Sequence, residues 1–89
     1  MSTVVFDLGT RRLLIQEGVE EIKRFRFVFE VSTLVKEVII PKSVTKIEKG
    51  VFYGYTDLQH IYVPKEFVDY YKSMDSLKEY ADIISAYEE

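Results

Sequence analysis

The chain has 89 residues, 47% of them hydrophobic and 30% charged, with a formal net charge of −3 and no cysteine. That is one small domain with a limited core, too apolar for disorder; disulfides, zinc–thiolate sites and a cysteine nucleophile are excluded. The acidic balance disfavours nucleic acid or an anionic membrane as the main partner, and no apolar run approaches the length that spans a bilayer.

At the N-terminus Val4, Phe6 and Leu8 alternate before Gly9-Thr10, the pattern of a strand that turns back as a hairpin on Leu13-Leu14-Ile15. Residues 1–12 therefore read as an N-terminal cap. The opening Met-Ser-Thr-Val-Val-Phe-Asp lacks the basic start and long apolar core of a signal peptide. The expectation is a cytoplasmic location for a full-length chain, and a secreted or cell-surface one if the chain belongs to a longer protein.

Residues 13–64 repeat. Aligned on Pro41 and Pro64, Val35, Val38 and Ile40 match Leu58, Ile61 and Val63. Val44 and Ile47 match Phe67 and Tyr70 beyond the prolines. Upstream, Leu13, Ile15, Val19 and Ile22 precede Val38, Ile40, Val44 and Ile47 by a constant 25 positions. In the best-formed unit, Val38-Ile39-Ile40 is a β-branched strand and Pro41, which cannot donate to a ladder, ends it. Ser43–Ile47 reads as a second extended piece with Val44 and Ile47 inward. Phe52 plugs the core beside Gly54, which permits a backbone shape closed to other residues. A single unit cannot bury its apolar face, whereas stacked units can.

The string LVKEVIIPKSVTKIEKGVFYGYTDLQHIYVP resembles the BspA-type leucine-rich repeat in Pro41, Ser43, Val44, Ile47, Phe52, Gly54 and Leu58. Val51 stands where that family prefers alanine, and Tyr55 where it prefers cysteine. The resemblance implies an α+β repeat fold: a short right-handed leucine-rich-repeat solenoid of about three units, with an N-terminal strand or hairpin cap and a helical C-terminal cap over residues 65–89. It also implies recognition rather than catalysis. In the C-terminal segment, Phe67, Tyr70, Tyr71 and Met74 fall at helical spacing. Ser76-Leu-Lys-Glu79 has capping-box form, so a second helix carrying Leu77, Tyr80, Ala81, Ile84 and Tyr87 is predicted.

The only histidine, His60, has no cysteine or second histidine to join it as a metal ligand. Glu17, Glu20 and Glu21 lack the alternation of a calcium loop, and four glycines form no phosphate cradle. Arg11-Arg12 and Lys23-Arg24-Phe25-Arg26 are the basic spots, read as solvated surface rather than a nucleic-acid contact. No catalytic residue, metal or cofactor is predicted.

Side chains alternate faces along a strand. With Leu13, Val38 and Ile61 inward, Leu14, Ile39 and Tyr62 point outward, flanked by Arg12, Glu37 and His60 with Lys36 and Gln59 beside them. An apolar stripe with a polar rim suits a protein partner. Phe25, Phe27 and Phe29 on alternate positions form a second apolar face, suited to a homodimer contact. Two alternatives accompany the interaction module: a self-associating unit or terminal fragment of a longer array, and a small inhibitor that blocks a larger protein.

Overall fold

A computed structural model describes residues 4–23 and 31–87. Its strands are β1 (Val4–Asp7), β2 (Arg12–Ile15), β3 (Glu21–Ile22), β4 (Glu37–Ile39), β5 (Lys46–Ile47), β6 (His60–Val63) and β7 (Ile84–Ala86). An α-helix, α1 (Val68–Lys72), lies between 3₁₀ segments at Lys65–Phe67 and Asp75–Ile83, and a further 3₁₀ turn spans Ser32–Leu34. The five-stranded sheet has the order β1-β2-β4-β6-β7, and β3 and β5 form a two-stranded sheet. The β1–β2 pair is antiparallel and every other pair is parallel.

Register follows the sequence offsets. Leu13 pairs with Val38, Val38 with Ile61 and Ile61 with Ile84. All four are at most 3% exposed and form the spine of the core. In the small sheet Ile22 pairs with Ile47. Strands of two to four residues are marginal alone, so buried side chains and cross-unit hydrogen bonds hold them. Ser43 Oγ donates to the Val19 carbonyl at 2.8 Å and accepts from Gly18 N–H at 3.0 Å. The motif serine therefore ties one unit's turn to that of the unit before. Gly50 and Gly54 sit at φ 78° and 88°, which only glycine adopts without strain. The tight turn they make sends Phe52 inward, where it meets Tyr55 and Tyr80 edge-on at 5.2 and 5.7 Å.

The C-terminal segment differs from the predicted pair of helices. Ser76 does not cap a helix: Asp75–Ile83 is 3₁₀, preceded by Met74 with no side-chain cap. A 3₁₀ segment has three residues per turn, so Leu77, Tyr80 and Ile83 align on one side, with Leu77 buried and the other two packed against the core. Ile84–Ala86 then leaves the helical path and pairs with β6, and Tyr87 N–H donates to the Val63 carbonyl at 2.8 Å. An open sheet edge offers these residues ladder hydrogen bonds and a buried site for Ile84, which a further helical turn would not.

The predicted equivalence of Phe67 and Tyr70 with inward Val44 and Ile47 also differs. Phe67 and Tyr70 are 37% and 45% exposed, and α1 turns Tyr71 inward instead, fully buried. The Tyr71 hydroxyl lies 2.6 Å from the Val44 carbonyl oxygen and 3.0 Å from that of Pro41, and donates between them. One unit earlier, the Val19 carbonyl, 25 positions before that of Val44, is served by the Ser43 hydroxyl. In the next unit the Tyr71 phenol serves the Val44 carbonyl instead, which phenylalanine cannot do. The predicted contact at Phe25, Phe27 and Phe29 lies outside the described residues.

Burial, with smaller effects from Tyr70 and Glu17, pushes the Tyr71 hydroxyl from 10.0 up to about 12. A phenol whose folded pKa exceeds its unfolded one stabilises the fold fully below the unfolded value and loses that contribution as pH climbs through the folded one. Stability in urea melts is therefore expected to hold up to about pH 10 and to fall between about pH 10 and 12. Tyr71→Phe should reduce that fall without abolishing it, because burial pushes Tyr55 up to about 12 as well, while costing about 1–2 kcal/mol at neutral pH through the Val44 carbonyl left unserved. An unchanged alkaline slope would contradict the assignment.

Candidate interaction face

The register that aligns the core spine aligns the opposite face as well. Val5 pairs with Leu14, Leu14 with Ile39, Ile39 with Tyr62 and Tyr62 with Ser85, one row across all five strands. Val5 is exposed, and Leu14, Ile39 and Tyr62 are half-buried, so each keeps contact with solvent. A second row runs Asp7, Arg12, Glu37, His60. Lys36 and Gln59 precede the strands, and Gln59 N–H donates to the Lys36 carbonyl at 2.7 Å.

The polar row is bonded to the apolar one. Arg12 Nε donates to Glu37 Oε1 at 2.6 Å, and the Tyr62 hydroxyl reaches Glu37 Oε2 at 3.5 Å, the long limit of such a contact. The hydrogen bond from Glu37, reinforced by its charge, holds the Arg12 guanidinium above its ordinary pKa. His60 stacks on Tyr62 with centroids 5.4 Å apart, and Tyr87 meets Tyr62 edge-on at 6.3 Å. Arg12, Glu37, Tyr62 and His60 thus form one connected group across three strands. Beside it lies a groove of about 460 Å³ lined by Arg12, Ile39, Tyr62, Ser85, Ala86 and Tyr87.

The eight residues predicted for this face fall on it or at its margin. Val5, Ser85 and Tyr87 were not predicted. The last two belong with β7, and the signal for them is the 23-position step from Ile61-Tyr62-Val63 to Ile84-Ser85-Ala86. Arg11, predicted to be solvated, is an internal clasp. Its Nε donates to the Leu34 carbonyl and its Nη2 to Asp57 Oδ2, both at 2.7 Å. These bonds hold its backbone at φ 59°, a left-handed conformation that costs a non-glycine residue about 1 kcal/mol. Among the described residues no group of three or more His, Asp or Glu side chains converges as a metal site, and no helix is long and apolar enough to cross a membrane.

Compared with known proteins, the chain matches no family model, no curated protein and no solved structure.

The two faces of β4 make a direct comparison. Val38→Ala should cost roughly 2–3 kcal/mol, because it opens a cavity in a filled row. Ile39→Thr should cost less than about 1 kcal/mol, because Ile39 is only half-buried. Chemical denaturation of the two variants checks this, and equal losses would mean that the outward row is covered.

Proposed function

We propose that this protein is a non-enzymatic interaction module that binds a protein partner on the outward face of its stacked strands. The observation that carries this reading is the row Val5, Leu14, Ile39, Tyr62 and Ser85, apolar in four of its five places and flanked by charge. Folding requires the inward row to be apolar but makes no such demand on the outward one. We also read the units as a short leucine-rich-repeat solenoid of the BspA type. The Pro41-Lys42-Ser43-Val44 motif and the rung-by-rung pairing of Leu13, Val38 and Ile61 support that reading.

Tyr62 is the central aromatic of the row, and such residues dominate the energy of interfaces. Tyr62→Ala should weaken the partner captured on immobilised wild-type chain by about 2 kcal/mol, measured by titration calorimetry, with the fold retained by circular dichroism. Wild-type affinity in folded Tyr62→Ala would sink the assignment.

A second reading, self-association or service as the terminal part of a longer array, is favoured by Phe67 and Tyr70. They stand at repeat positions that are buried one unit earlier, yet both are exposed and in edge-on contact at 6.2 Å. Size-exclusion chromatography with light scattering would then show a dimer or larger species that Phe67→Ser disperses. A strict monomer at high concentration rejects this reading.

A further inference from the structure

The groove beside Tyr62 carries a surplus of hydrogen-bond donors. Both carboxylate oxygens of Glu37 are engaged, one by Arg12 Nε and the other by the Tyr62 hydroxyl. Arg12 is left with two Nη groups that meet no hydrogen-bond acceptor among the described residues, on a side chain 40% exposed. The Tyr87 hydroxyl likewise meets none there, and Ser85 is exposed at the groove's rim. Ile39 and the Tyr62 ring supply the apolar surface between these groups.

A guanidinium whose Nε is held presents its two Nη groups as a flat fork, the shape that receives a carboxylate with two parallel hydrogen bonds. Glu37 fixes the plane of that fork in advance, which lowers the ordering cost on binding. A polyanion is disfavoured by the chain's net charge of −3, whereas one carboxylate within an apolar segment meets little long-range repulsion. Ile39, Tyr62 and Ser85 line the groove, and their row continues past it to Leu14, which suits a segment passing along it rather than a chain end.

Resting on the interaction reading above, we propose that the groove receives a single aspartate or glutamate side chain of the partner, clasped by the Arg12 Nη pair, with an apolar neighbour packed on Ile39 and the Tyr62 ring.

The test is an NMR titration of the isotope-labelled chain with capped acetyl-Val-Asp-Val-amide and its neutral isostere acetyl-Val-Asn-Val-amide. The aspartate peptide should shift Ile39, Tyr62, Ser85 and Tyr87 and bind roughly ten-fold tighter than the asparagine one. Arg12→Gln should erase that preference. Arg12→Lys, which keeps the charge beside Glu37 but not the fork, should lose most of it, and serves if Arg12→Gln does not fold. Four outcomes overturn the proposal: equal binding of the two peptides, no saturable shift with either, shifts that map elsewhere, or a preference that survives Arg12→Lys in full. Acetyl-Val-Val with a free C-terminal carboxylate binding tighter than the aspartate peptide would also overturn it, in favour of a chain end. Loss of the partner in Tyr62→Ala without an aspartate preference would leave the docking face standing and remove only the carboxylate.

Discussion

Everything in this protein depends on the register of its parallel strands. Leu13, Val38, Ile61 and Ile84 stack as one buried row because each strand pairs with the next without slippage. Side chains alternate along a strand, so a one-residue slip anywhere would exchange the two faces. Arg12, Glu37 and His60 would then point into the core, and the cost of burying charge would far exceed what the short ladders supply. Hydrophobic burial thus selects the register, and the register sets every other placement.

Strands this short need pins, and the pins differ from unit to unit. Ser43 joins neighbouring turns through two hydrogen bonds to backbone. Arg11 clasps the starts of later units, holding a backbone conformation that would otherwise relax. Tyr71 closes the end of the small sheet with its hydroxyl. Each pin bonds backbone groups that lie outside the short ladders, joining residues distant in sequence.

The outward face is a by-product of the same register. Once the inward row is aligned, the outward residues are aligned too, and their chemistry is free of the demands of the core. That freedom makes an apolar outward row informative. Glu37 is central to it: one carboxylate binds Arg12 from the preceding strand and Tyr62 from the following one, joining three units into a single polar group.

The sequence by itself determined the spacing of the rungs. Leu13, Val38 and Ile61, the strand-ending Pro41 and the turn glycines are local or evenly spaced signals, and β-branched alternation has a direct physical meaning. The outward residues on β2, β4 and β6 follow from the same alternation. Only the tertiary structure decided the C-terminal third. Ile84-Ser85-Ala86 is short and sits in a stretch whose period of three to four residues is compatible with a helix. What makes it a strand is the open edge of β6, a partner distant in sequence. The choice of Tyr71 over Tyr70 as the buried ring was likewise beyond local pattern, because the packing of α1 on the sheet, not residue type, decides which of two adjacent phenols meets the Val44 and Pro41 carbonyls.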